Sequence, residues 1–204
     1  MVRRLKKENV DIRLNTEVTN EMIENEFKDY TILCTTGAKS KEIEAFKVFK
    51  NTMTADDILS GKKYPGKNIV IIGGGSVGCE TADYLAPLIN DMFPANRKVT
   101  ILEMTNALMP GEGGAAKSVL TRRLMEKGVR IEMNAKVTGV SESEIYFEQE
   151  GVTHTIKNAD TLVFAVGYTP VPLNIQNATF IGDCEKIGNL QDAITNAYKA
   201  TINL

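Results

Sequence analysis

The sequence predicts an α/β protein whose centre is a three-layer domain with a parallel sheet and an antiparallel β-meander. Three observations predict it. First, Asn68-Ile69-Val70-Ile71-Ile72 carries, after Asn68, an uninterrupted β-branched run, the pattern of a parallel strand covered on both faces. Second, strand-like and helix-like stretches alternate after it, as parallel sheets with helical crossovers require. Third, Lys136–Val140, Glu144–Phe147 and Thr153–Lys157 are short segments separated by Ser/Glu and Glu/Gly turns, which reads as a meander. With 204 residues and 43% hydrophobic content, the chain has ample material for a packed core.

The elements follow in order. Val2 to Asn9 is helix-like, and Val10-Asp11-Ile12-Arg13-Leu14-Asn15 alternates apolar and polar residues as a strand would. Thr19-Asn20-Glu21-Met22 caps an acid-rich helix running to Phe27. Tyr30–Cys34 is a short buried strand ended by Thr35-Thr36-Gly37. From Lys39 to Lys67 the chain is a polar connector holding a short helix, opened by Thr54 and stopped by Gly61. A domain boundary is placed near Lys62 to Gly66. Asn68–Ile72 then leads through glycine into the helical pattern Cys79–Leu85, and Lys98–Glu103 is the second parallel strand. Between them, Pro87–Asn96 reads as an insertion on the helix-to-strand side, where added length costs little. Ala115–Lys127 is a helix with Leu120, Leu124 and Met125 on one face and Gly128 as its stop, and Val129–Met133 is the third strand. Asp160–Gly167 repeats the design of Tyr30–Gly37, an apolar strand ending on glycine, and so implies two similar domains. Ala178–Cys184 is a last short strand, closed by a helix from Gln191 to Ile202.

Charge excludes some functions. Twenty-four Lys plus Arg against 26 Asp plus Glu leave −2, too small a field to draw the chain to nucleic acid or to a membrane surface, and no local basic patch is visible. No apolar run approaches the ~18 residues of a spanning helix. The three cysteines, Cys34, Cys79 and Cys184, are far apart and form neither a redox pair nor a zinc pattern. A soluble, cytoplasmic protein with buried free thiols is expected.

The chemistry is concentrated at Gly73-Gly74-Gly75-Ser76-Val77-Gly78. This satisfies GxGxxG directly after a strand and before a helix, a Rossmann-like context for a dinucleotide. The first glycine permits a tight turn, the second admits a pyrophosphate against the backbone, and the third lets helix and strand pack closely. The phosphates then meet the free N–H groups and the positive end of the helix dipole. An acid ending the second strand grips a ribose diol, and Glu103 is so placed, although it lies further along than the ~20 residues of the usual fingerprint. Its carboxylate accepts from a 2′-hydroxyl and repels a 2′-phosphate, and no Arg or Lys occurs in Met104–Ala107. NADH is therefore favoured over NADPH.

These phrases, with Val10–Thr19, Ala165-Val166-Gly167-Tyr168 and Phe180-Ile181-Gly182-Asp183-Cys184, give the sequence its resemblance. It resembles the flavin-dependent pyridine-nucleotide oxidoreductases with two dinucleotide-binding domains, and within them the carboxy-terminal portion of the NADH:flavin oxidoreductases of the 2,4-dienoyl-CoA reductase and enoate reductase type. The resemblance implies an NAD(P)-binding domain, residues 63–168, inserted in a partial FAD-binding domain made of residues 1–62 and 169–204. It adds Val166 and Gly167 to the cofactor-binding residues, and on the FAD side Thr36, Gly37, Gly182 and Asp183, with Asp192-Ala193-Ile194 opening the last helix beneath the isoalloxazine. The implied activity is delivery of hydride from NADH to FAD for an acceptor such as an enoate or dienoyl-CoA, reduced elsewhere in a parent enzyme. No second GxGxxG precedes the first, and neither a reductase barrel nor an iron–sulfur cysteine cluster is present. The chain is thus expected to be a fragment whose partner is the amino-terminal catalytic portion, binding NADH but holding FAD weakly or not at all. A non-catalytic NAD-binding or redox-sensing module is the competing reading.

Other residues carry less. His154, the only histidine, lies in a polar strand and suits neither catalysis nor metal. Cys79 could be activated by the helix start, but packing against the sheet is the preferred role. Gly111-Glu112-Gly113-Gly114 is either a second anion loop or a flexible linker ahead of a helix. No catalytic side chain and no metal ligand is assigned.

Overall fold

The computed structural model describes residues 2–87 and 96–202; most of the expected insertion, residues 88–95, lies outside the described residues. In chain order the elements are α1 (Val2–Lys7), α2 (Asn20–Glu26), β1 (Ile32–Cys34), β2 (Ala38–Ser40), β3 (Thr52–Thr54), α3 (Ala55–Leu59), β4 (Asn68–Ile72), α4 (Ser76–Leu85) and β5 (Lys98–Leu102). They continue with α5 (Gly114–Glu126), β6 (Arg130–Glu132), β7 (Lys136–Val140), β8 (Glu144–Gln149), β9 (Val152–Lys157), β10 (Thr161–Phe164), β11 (Tyr168–Pro170), β12 (Ala178–Phe180) and α6 (Leu190–Thr201). No helix among the described residues is long and apolar enough to cross a membrane.

Two compact units are formed, Ala38–Thr169 and the joined segments Met1–Gly37 and Pro170–Leu204. The first is built on a five-stranded parallel sheet of order β3-β10-β4-β5-β6. Period-two alternation distributes its side chains. Ile69, Ile71 and Val163 face a helical layer with Cys79, Ala82 and Leu124, whereas Val70, Ile72, Leu162 and Phe164 face Ile145 and Phe147 of the antiparallel meander β7-β8-β9. The uninterrupted apolar character of β4 is thereby explained, since both of its faces are covered. Asp83, almost buried on α4, ties the two long helices together by pairing with Arg123 and, at 2.9 Å, with Lys127 of α5.

This unit begins earlier than the boundary expected near Lys62. Residues 38–62 belong with the central sheet because Thr52–Thr54, expected as connector, are β3, paired in parallel with Leu162–Phe164. Met53 is 2% exposed within the helical-side core. Thr54 then caps α3, its hydroxyl accepting from Asp57 N while the Asp57 carboxylate accepts from Thr54 N, both at 3.1 Å.

The second unit contains α1, α2, α6 and a two-stranded parallel sheet, β1 beside β12. Its largest departure from expectation is Val10–Asn15, which forms no strand. Asn9 and Asn15 both take φ of 54°, breaking the extended path at each end, and Val10, Ile12 and Leu14 are all exposed. Alternation supplies a face but not a partner, and without a neighbouring strand the ladder hydrogen bonds do not exist. Arg13 instead pairs with Asp11 and Glu26 and lies 5.2 Å above the Phe27 ring.

Candidate functional site

Three adjacent strands deliver their carboxyl ends to one edge of the central sheet. Ile72 is in register with Leu102 on one side and with Phe164 on the other, so Gly73, Glu103 and Ala165 emerge side by side. From β4 the chain goes on to β5 and β6 in one direction, while β10 and β3 lie in the other. The order reverses beside β4, the position where open parallel sheets bind ligands. A cleft of about 480 Å³ opens there, lined among others by Gly73, Gly75, Glu103, Thr105, Val166 and Gly167. The structure thus brings together the glycine motif, the acid and the second strand-to-glycine end that the sequence had kept far apart.

Each glycine of the motif has a distinct steric reason. Gly73 sits at φ 106°, and a Cβ there would lie 2.3 Å from the Ala165 carbonyl oxygen. Gly78 passes so close that its Cβ would lie 2.0 Å from the carbonyl oxygen of Gly73. Gly75 differs: its Cβ would meet nothing within 4 Å, so that position is open. Gly75 is also the N-cap of α4 and offers no capping side chain, leaving the first-turn amides of Ser76, Val77 and Gly78 without intrahelical partners. An open backbone position beside an uncapped helix start fits the pyrophosphate of a dinucleotide. Val77 turns the other way, into the helical-side core. The Gly111–Gly114 stretch directs Glu112 toward this corner, where its carboxylate accepts from the Ser76 hydroxyl at 2.8 Å.

Glu103 is not an exposed acid at a strand end. It is 7% exposed. One carboxylate oxygen accepts from Gly74 N at 2.6 Å, and the other accepts from the backbone N and hydroxyl of Thr105, each at 2.8 Å. Glu103 therefore ties the glycine turn to the end of β5. A carboxylate offers about four acceptor positions, so three donors leave room for one more. Gly74 is held from its other side as well, its carbonyl accepting from Met109 N at 2.7 Å.

In the other unit, Cys34 is in register with Phe180, and Ile181 N donates to Cys34 O at 3.1 Å. Thr36 and Gly37 thus leave β1 on the same edge at which Gly182 and Asp183 leave β12. Gly37 and Gly182 have φ of 80° and 68°. The Thr36 hydroxyl donates to Val171 O at 2.6 Å, and the Asp183 carboxylate accepts from Gly188 N at 3.1 Å. A mostly apolar hollow of about 370 Å³ runs past Ile23, Phe27, Cys34, Thr36 and Leu173. For FAD the fit of these residues is partial. They form an edge, but this unit has no glycine-rich strand-to-helix turn among its described residues to receive a pyrophosphate.

Two polar residues that line the central cleft, Thr105 and Lys136, carry no site signal in the sequence. Lys136 comes from β7, far along the chain, and only the packing of the meander onto the sheet places it here. Cys79 is fully buried, its thiol donating to Gly74 O at 3.4 Å. Burial, with the charge of Glu103, pushes its pKa up to about 11, so it stays protonated and unreactive near neutrality. His154 is exposed and stacks on Phe147 at 5.2 Å. Among the described residues no group of three or more His, Cys, Asp or Glu is placed to hold a metal.

A family model for the pyridine nucleotide-disulphide oxidoreductases matches residues 2–181. The chain belongs to this family. Pyridine nucleotide-disulphide oxidoreductases bind FAD and NAD(P)H. Cinnamate reductase of Clostridium sporogenes is 30% identical over 213 residues, covering 98% of this chain and 30% of that protein. NADH oxidase of Thermoanaerobacter brockii is 28% identical over 212 residues, covering 96% of this chain and 31% of that protein. Among solved structures, a 2-naphthoyl-CoA reductase complex superposes with a TM-score of 0.80 at 23% identity, covering the whole chain and 31% of the other. The chain spans about a third of the length of these proteins. They agree with the resemblance to NADH:flavin oxidoreductases carried by the motifs.

Proposed function

We propose that the central unit binds NADH and serves as the nicotinamide-nucleotide module of a flavin-dependent oxidoreductase. The observation that supports it best is the meeting of Gly73, Gly75, Glu103 and Gly167 around one cleft at the strand-order reversal. In this reading the amides of Ser76, Val77 and Gly78 hold the pyrophosphate, and the remaining acceptor position of Glu103 takes an adenosine ribose hydroxyl. Val166 and Gly167 border the nucleotide from β10. NADH, when bound, would supply hydride for the reduction of FAD, and the final acceptor, such as an enoate or dienoyl-CoA, would be reduced on a further portion of a longer enzyme. The protein's part is orientation and phosphate binding, and we assign no catalytic side chain.

Calorimetric titration of the purified chain with NADH tests the first step, with saturable one-to-one binding expected without added flavin. Absence of saturation in a chain shown to be folded by circular dichroism removes the nucleotide reading. For FAD we infer weak retention by this polypeptide, with Thr36, Gly37, Gly182 and Asp183 giving only an edge. Charge-assisted hydrogen bonds contribute about 1.5–3 kcal/mol each, so lacking several turns tight binding into loss on a column. The visible spectrum after gel filtration in excess FAD should be nearly colourless, and a stoichiometric yellow complex would defeat this inference.

A further inference from the structure

We propose that Asp56 is a positioning residue for the nicotinamide half of the cofactor, holding Gly167 in place at the rim of the cleft; this rests on the nucleotide reading given above. The rim is the stretch Ala165–Gly167, which follows β10 and lines the cleft. Its near end is tied to the sheet by Ala165 N, which donates to Ile72 O at 2.9 Å. At its far end, Lys41 N donates to Gly167 O at 2.9 Å, and one carboxylate gathers the residue beside each partner of that bond. Asp56 accepts from the Tyr168 hydroxyl at 2.9 Å through one oxygen and from the Ser40 hydroxyl at 2.6 Å through the other. The strands that carry these hydroxyls, β2 and β11, pair with each other. Asp56 itself is well seated. It stands in α3, whose Ala55 and Ile58 are buried in the helical-side core and whose start is fixed by the Thr54–Asp57 capping pair.

The order of the strands decides which half of the cofactor this serves. Glu103 follows β5 and Gly167 follows β10, on opposite sides of β4 and its glycine turn. A dinucleotide carries one nucleoside on each side of its pyrophosphate, so with adenosine at Glu103 the nicotinamide riboside falls on the Gly167 side. Gly167 has φ of 90° and the freedom of a glycine, which the bonds beyond it must restrain. Burial, reinforced by the hydrogen bond and charge of Asp56, pushes the Tyr168 phenol up to about 12. Tyr168 therefore stays a protonated donor near neutrality, and its bond to a carboxylate is of the stronger, charge-assisted kind.

The test titrates the full chain by calorimetry with NADH and with ADP, which keeps the adenosine and both phosphates but lacks the nicotinamide riboside. Asp56→Ala should weaken NADH by roughly 5- to 20-fold while ADP changes by less than about twofold. Asp56→Asn, still an acceptor, should recover most of the loss. Tyr168→Phe removes one hydroxyl and keeps the ring, and it should show the same selectivity at smaller size, which decides the matter alone if Asp56→Ala does not fold. Hydrogen exchange at the Lys41 amide should quicken in Asp56→Ala, reporting the loosened bond to Gly167. Equal losses for the two ligands, or unchanged NADH affinity in the folded variants, overturn the positioning role and leave the nucleotide reading intact. A folded wild-type chain that does not bind NADH removes the nucleotide reading and the positioning role with it.

Discussion

Replacing Gly78 by valine is expected to abolish NADH binding and to destabilise the central unit, whereas Gly75→Ala should lose binding alone. The contrast follows from what each new Cβ meets. At Gly78 the obstacle is backbone, the Gly73 carbonyl oxygen at 2.0 Å, with the Ala165 methyl at 3.3 Å behind it. Gly73 cannot retreat, because it is itself wedged against the Ala165 carbonyl. Helix α4 must move instead, and doing so unpacks Cys79, Ala82 and Leu85, all at most 2% exposed. Overpacking of this kind costs about 1–3 kcal/mol or more, and a displaced α4 no longer aims its amides into the cleft. A loss beyond about 100-fold in NADH affinity, near 3 kcal/mol, is expected. At Gly75 the backbone is extended, with φ −68° and ψ −178°, and nothing lies within 4 Å. Alanine there should leave the unfolding midpoint unchanged and weaken only the ligand that passes over it. Thermal unfolding and calorimetry on both variants measure the two effects. Unchanged NADH affinity in Gly75→Ala would show that no phosphate crosses that position.

The second large effect concerns Glu103. Glu103→Ala removes the acceptor for Gly74 N and Thr105 N, two backbone donors at the cleft floor, along with the contact proposed to the ribose. A hydrogen bond to a charged group contributes about 1.5–3 kcal/mol, so NADH should weaken roughly 10- to 150-fold. Binding of NADPH should fall less, because the same change relieves repulsion of its 2′-phosphate. The ratio of the two dissociation constants is therefore the informative quantity. Losses of equal size would mean that Glu103 only shapes the glycine turn. Stability should fall as well, which distinguishes this carboxylate from a surface acid.

The central sheet is legible in the sequence because each signal there is local and redundant. Asn68–Ile72 is apolar on both faces, a glycine motif follows it, and the meander is marked by its turns. All three survive in the structure. Thr52–Thr54 is not legible because a three-residue strand carries too few residues to show a period, and its identity comes from a partner over 100 residues away. Val10–Asn15 failed in the opposite sense, showing a strand period with no strand to receive it. At the cleft, Gly73, Gly75 and Gly78 are legible because one motif constrains their spacing, and Glu103 because it ends the second strand despite its longer spacing. The burial of Glu103 was not, since it depends on donors from Gly74 and Thr105 that only the folded turn presents. Lys136 was invisible for the same reason, being delivered by a strand from another layer.

The position of β10 has a consequence for how the chain reaches this state. It lies between β3 and β4, yet it is the last strand of the sheet to be synthesised. Until Phe164 leaves the ribosome, β4 has an open edge of buried-type residues, Ile69 to Ile72, and β3 has no partner at all. At roughly 5–20 residues per second the interval from Ile72 to Phe164 lasts roughly 5–20 s. Throughout it the nascent chain presents an apolar parallel edge of the kind that pairs with other chains. Insertion of β10 closes the edge and completes the rim of the cleft in one event, so the same strand that finishes the cleft also ends its period of exposure to aggregation.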